Sequence, residues 1–216
     1  MNTVLLESQI FGPVFLYSLF TAADEIIIEQ HENYQKRSFR NRYTLLTANG
    51  PVTMSIPLQK GKNQQMPVRD VRVAYDSHWI SKHLQCIRSA YGRSPYFDHY
   101  FDKIAELLNK RHIFLFDLNM ETFLWVLKQL HLDINVRITD RYQKEYDDLS
   151  DFRSFNPDDI SCPVKYTQVW EEKFNFTPNL SVLDLLFCTG PEAPGILVKM
   201  KIWETIKDKT DFNASF

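Results

Sequence analysis

Residues 3–30, "TVLLESQIFGPVFLYSLFTAADEIIIEQ", decide the fold. The apolar run Val4, Leu5 and Leu6 predicts a buried strand over 3–9. Gly12-Pro13 then punctuates the chain, and Val14, Tyr17, Leu19, Phe20 and Ala23 recur at helical spacing. "EIIIEQ" at 25–30 is short and β-branched, the composition of a second strand. Two strands joined by a helix predict a βαβ unit with parallel strands.

Ligands of such sheets sit at the carboxyl ends of the strands, where the next stretch, "EQHENYQKRSFRNR" at 29–42, would lie. Glu29 and Glu32 offer carboxylates and His31 an acid or base. Asn33 and Asn41 are amides, and Tyr34 is a stacker and donor. Lys36, Arg40 and Arg42 are anion ligands, and Ser38 among them is suited to holding phosphate. Arg37 points away if the stretch is extended. The plainer reading is a solvated connection whose cations pair with nearby acids.

Asn49-Gly50 marks a β-hairpin. On its outgoing arm, Val52, Met54 and Ile56 alternate with Thr53 and Ser55, so one face is expected buried and the other wet. Residues 61–66 read as a polar loop, and 68–75 alternate again. Asp76 or Ser77 is placed to cap a helix ending at Gly92 in a positive-φ conformation, with Trp79, Ile80, His83, Leu84 and Ile87 as its apolar stripe. Pro95 opens another helix, with Phe97, Phe101, Ile104, Leu107 and Leu108 inward. "HIFLFDL" at 112–118 reads as a third parallel strand, with Asn119 capping the helix after it, and "INVRIT" at 134–139 as a further strand. Residues 147–163 are acidic, aperiodic and read as a long loop. The last third is helical in pattern, with Ser181 as a cap and Trp203 and Phe216 free to pack on the core or on another subunit. The expected fold is α/β: a mixed, mainly parallel sheet starting with a βαβ unit, a hairpin, and a helical C-terminal third. The expected organisation is one domain over 1–216, with 164–216 packed on it.

The chain has 216 residues and a net charge of −2. That balance opposes nucleic acid as the main partner, because a binder neutralising several phosphates carries a basic surplus. Cys86, Cys162 and Cys188 show no metal spacing and read as thiols of a reducing compartment. No basic-then-apolar leader and no long apolar run appear, so the expectation is a cytoplasmic protein without a membrane span. No zinc spacing and no nucleophile elbow occur. His78, in a first helical turn, can face a site, whereas His83 reads as a core histidine. Arg93, in "GRSP" between Tyr91 and Tyr96, presents either an anion contact or a plain helix–helix turn. No cofactor is expected; Mg²⁺ is conceivable beside a nucleotide substrate, near Glu145, Asp147, Asp148 and Asp151.

Further pieces carry a resemblance: Gln9 and Pro13 after the first strand, "EQHENYQKRSFRNRYTLL", Asn49-Gly50 leading into "SIPL", "SHW", "AYGRSPYF", "YTQVWEEKFNFTPNLS" and "LSVLDLLFCTGP". In order and spacing they resemble the WbqC-like family over nearly the whole chain. Ile10 stands where that family's opening usually has a proline. The resemblance implies a bacterial protein of O-antigen-type surface polysaccharide biosynthesis that modifies a nucleotide-linked sugar, by acyl or aminoacyl transfer to an amino sugar. It implies His31, Glu29 or Glu32 acting on the sugar's amine or hydroxyl. Gln9, Asn33, Tyr34, Lys36, Ser38, Arg40, Asn41, Arg42, His78 and Arg93 would hold the substrate and its pyrophosphate. A non-catalytic sugar-nucleotide-binding or assembly protein of the same pathway is the alternative. The strand, Pro-led helix, strand and basic loop are also similar in architecture to nucleotidylyltransferases, without their HxGH motif.

Overall fold

The computed structural model describes residues 2–61, 63–146, 148–153 and 164–202. Cys162, Asp147, Trp203, Phe216 and most of the expected 147–163 loop lie outside them. The fold is mixed α/β. Strand β1 (Thr3–Glu7), helix α1 (Val14–Phe20) and strand β2 (Glu25–Glu29) form the βαβ unit. Every residue of α1 is buried, with Pro13 at its start and Val14, Tyr17 and Phe20 among the core side chains. β2 pairs in parallel with β5 (Asn135–Ile138), and β1 with the two-residue strand β6 (Ser150–Asp151). The four-stranded sheet is ordered β5-β2-β1-β6, all parallel.

The antiparallel hairpin is β3 (Arg42–Thr47) with β4 (Gly50–Ser55). Thr47 pairs with Gly50, so the two turn residues are Ala48 and Asn49, one position earlier than the Asn-Gly signal. Gly50 takes φ +102°, which glycine adopts without strain. Ile56 is buried and Met54 partly so, but Val52 is 37% exposed, so the buried face does not run the length of the arm.

Residues 68–75 make isolated bridges, Leu58 to Val73 and Arg72 to Phe114, around a 3₁₀ turn at Val68–Asp70, rather than a strand. Helix α2 (Trp79–Tyr91) buries Trp79, Ile80, His83 and Ile87 as expected. His78 holds its N-cap position, without a side-chain cap from Asp76 or Ser77. Gly92 sits at φ −59°, not at positive φ. What demands glycine there is space: a Cβ would lie 2.6 Å from the Arg88 carbonyl oxygen.

Helix α3 (Phe97–Asn109) buries Phe97, Phe101, Ile104, Leu107 and Leu108. The expected strand at 112–118 is not one: helix α4 spans Leu115–Gln129. A short apolar run has no period that separates strand from helix. Here Leu115, Leu118, Thr122 and Val126 share the buried helical face. Asn119 is therefore inside the helix, fully buried, and not its cap.

The C-terminal part holds α5 (Glu171–Phe174), α6 (Val182–Thr189) and α7 (Ala193–Met200). Ser181 caps α6, accepting from the Leu183 amide and donating to the Phe11 carbonyl. Ser18 of α1 donates to the Leu197 carbonyl, tying α7 to the βαβ unit.

Candidate functional site

The parallel strands end together, and so do their polar residues: Glu7 of β1, Glu29 of β2, Thr139 just beyond β5, and Asp151 and Arg153 at β6. Glu7 and Glu29 are register neighbours. The chain from 30 to 41 folds over this edge in turns rather than as an extended strand, and Arg37 adopts φ +60°. Backbone bonds hold the segment on two sides: the Tyr34 amide on the Met66 carbonyl, the Val68 amide on the Glu32 carbonyl, and the Ile10 amide on the Phe39 carbonyl.

The segment leaves an open cleft of about 580 Å³. His31, Glu32, Asn33, Tyr34 and Lys36 line it, together with Gln64 and Tyr142, which sequence reading did not single out. Lys36 and Asn33 are exposed, and Tyr142 is a 53% exposed aromatic. Arg153 orders the Tyr142 side. Its guanidinium lies 5.5 Å from the Tyr142 ring centre and 5.3 Å from that of Tyr146, and it donates to the Gln143 and Lys144 carbonyls.

His31 is set from two directions. Its amide donates to Glu29 Oε1 at 2.7 Å, and its ring Nε2 lies 3.1 Å from the Thr139 carbonyl. A carbonyl only accepts, so Nε2 carries the proton and Nδ1 is left as the neutral ring's acceptor. Glu29 is fully buried and also accepts from the Thr139 hydroxyl at 2.8 Å.

Arg40 is 1% exposed, its Nε and Nη2 both on Glu32 Oε1 at 2.9 and 2.6 Å. Its Nη1 is 3.9 Å from Glu7 Oε1. Burial pushes the Glu32 carboxyl above its ordinary range against the opposing pull of Arg40. Burial raises Glu7 to about 7, again with Arg40 opposing. Gln9 donates to Glu7 Oε1 at 3.0 Å. Asn119 donates to the Arg40 carbonyl at 2.8 Å and to Ser8 Oγ at 3.2 Å, binding α4 to this edge. The sequence marks Asn119 only as a helix cap, because its buried polar role depends on which face α4 turns inward.

The other expected residues are dispersed. Tyr34 donates to Asn41 Oδ1 at 2.8 Å, and Asn41 donates to the Ile56 carbonyl, so this pair fastens the cleft wall to the hairpin. Ser38 closes a turn on the Gln35 carbonyl. Arg42 begins β3 opposite Ser55. Exposed His78, at the start of α2, does not line the cleft. Arg93 lies in a second open groove of about 900 Å³, with Trp170 and Glu171. No cluster of metal-ligating side chains occurs among the described residues, and no described helix is long and apolar enough to cross a membrane.

The sequence profile of the WbqC-like protein family matches residues 11–156, more than half of the chain. The uncharacterised protein Rv1507c of Mycobacterium tuberculosis is similar, 26% identical in an alignment that covers 84% of this chain and 90% of that protein. No solved structure matches the chain.

Proposed function

The chain belongs to the WbqC-like protein family, and from that membership and the cleft at the carboxyl edge of its sheet we propose that it is a transferase. Its substrate is a nucleotide-linked amino sugar of bacterial surface polysaccharide biosynthesis, and it acts as a cytoplasmic protein. The observation that carries the reading is His31: it lines the cleft with Nε2 committed to the Thr139 carbonyl and Nδ1 left as acceptor. In that state the ring takes a proton from an attacking amine. The amine nitrogen bonds to the carbonyl carbon of an activated acyl or aminoacyl donor, the bond from that carbon to the donor's leaving group breaks, and His31 holds the released proton. Such general-base assistance contributes roughly 10²–10⁴-fold.

Recognition follows from the same cleft. Exposed Lys36 meets the pyrophosphate as a point charge. Tyr142 offers its ring face to the base, where stacking contributes about 1–3 kcal/mol. Arg40 and Glu32, paired beneath the surface, position the segment that carries His31.

The test is mass spectrometry of nucleotide-linked amino sugars incubated with the protein and activated acyl or aminoacyl donors. The expected product gains the acyl mass, and His31→Ala slows its formation by about 100-fold or more. A ligand that binds but returns unaltered with every donor makes the protein a non-catalytic sugar-nucleotide-binding or assembly protein instead.

A further inference from the structure

Of the three residues expected to act on the sugar, Glu29 does not reach the cleft. It is 0% exposed and outside the lining, whereas His31 and Glu32 are part of it. Its Oε1 accepts from the His31 backbone amide at 2.7 Å and from the Thr139 hydroxyl at 2.8 Å. Its Oε2 lies 3.5 Å from Arg153 Nη1. A carboxylate placed in this way acts through what it holds.

Thr139 is where these contacts converge. It follows β5, and its amide continues the ladder on the Ile28 carbonyl at 3.0 Å. A hydroxyl has one hydrogen, which here goes to Glu29, and its oxygen accepts from the Gln30 amide at 3.2 Å. A carbonyl has two lone pairs, and those of Thr139 meet Gln30 Nε2 at 2.8 Å and His31 Nε2 at 3.1 Å. Three successive residues, Glu29, Gln30 and His31, are thus fastened to one residue 108 to 110 positions later. Such fastening is needed at this point. The chain is leaving β2 for a turn, and the last torsion of a histidine side chain is broad, so rotamer preference alone does not aim the ring.

We propose that Thr139 is the positioning residue of the cleft. Its hydroxyl, through Glu29, fixes the backbone of residues 29–31, and its carbonyl then holds the His31 ring with Nδ1 left as the acceptor. Glu29 serves in the same latch as an acceptor and not as an acid or base. The proposal rests on the transferase reading, in which a ring displaced by about 1 Å loses up to roughly 100-fold in rate. Threonine is separable here into its parts: valine keeps the shape without the hydroxyl, and serine keeps the hydroxyl without the methyl.

The experiment compares wild type, Thr139→Ser and Thr139→Val by proton NMR of the free protein and by the acyl-transfer assay, at a temperature where all three are folded. A ring N–H held on a carbonyl exchanges slowly enough with water to give a resolved signal, and a loose one does not; His31→Ala assigns the signal. The ring signal of His31 is expected in wild type and Thr139→Ser and lost in Thr139→Val. Transfer is expected to fall by roughly 10–100-fold in Thr139→Val and to stay near the wild-type rate in Thr139→Ser. A wild type without the ring signal overturns the proposal. So does a Thr139→Val protein that keeps either the signal or the rate, and so does a serine that restores neither. Should Thr139→Val not fold, Thr139→Ala, which makes no demand on space, takes its place. If wild type transfers nothing, the proposed function fails by itself, and the ring signal still decides whether Thr139 holds His31.

Discussion

Glu7 and His83 give the protein opposite responses to pH. Burial raises Glu7 from 4.5 to about 7, so between those values the native state keeps a proton that the unfolded chain has released. Glu7 therefore costs the fold stability as pH rises through that window, by up to about 3 kcal/mol. His83 is buried, with Nδ1 2.9 Å from the Tyr43 hydroxyl, and burial lowers it from 6.5 to about 4. Its contribution is present above 6.5 and is lost as pH falls towards 4, again by about 3 kcal/mol. Urea denaturation should show Glu7→Gln gaining about 3 kcal/mol on the wild type between pH 5 and 8. A difference that stays flat would refute the assignment. The cations of "YQKRSFRNRY" also part company here. Arg40→Ala strands Glu32 and Glu7 without their buried counter-charge, and about 3–5 kcal/mol of stability should be lost. Exposed Lys36→Ala should change stability by less than about 0.5 kcal/mol. The sequence offers no sign that distinguishes them, because the burial of Arg40 comes from Glu32 and from a helix nearly eighty residues away, through Asn119.

At the scale of elements, local chemistry was legible where it is local. The βαβ unit followed from β-branched runs around a Pro-led helix, and Ser181 from its place before an apolar helical stretch. Ser181→Ala should cost about 0.5–2 kcal/mol, lowering Tm by several degrees in calorimetry; an unchanged Tm would mean that the cap contributes nothing. Long-range pairing was not legible. The segment at 112–118 carries the apolar density of a buried strand, yet the sheet takes its fourth strand from Ser150–Asp151, two residues inside an acidic stretch. Their strand character comes from the exposed edge of β1 and not from their own propensity. Tyr142 is not legible for a similar reason: it comes to the cleft beside Arg153, a contact eleven residues along the chain.

For the molecule as a whole, the C-terminal helices bear on the question of one domain. The Val14 amide bonds to the Leu180 carbonyl, the Val182 amide to the Gly12 carbonyl, and Ser18 to Leu197. Apolar residues of α1, α4, α6 and α7 share a common core. We expect a single cooperative transition, with far-UV dichroism and tryptophan fluorescence coincident in urea; two separated transitions would divide the chain into two units. The cleft borders this core at the edge where the parallel strands end, and its assignment as the nucleotide-sugar site is the central claim. Calorimetric titration of nucleotide-linked amino sugars tests it most directly, using wild type, Lys36→Glu and the remote surface variant Lys103→Ala. The account predicts binding by wild type and Lys103→Ala and a loss of about tenfold or more in Lys36→Glu. Undiminished affinity in Lys36→Glu would place the ligand elsewhere on the protein.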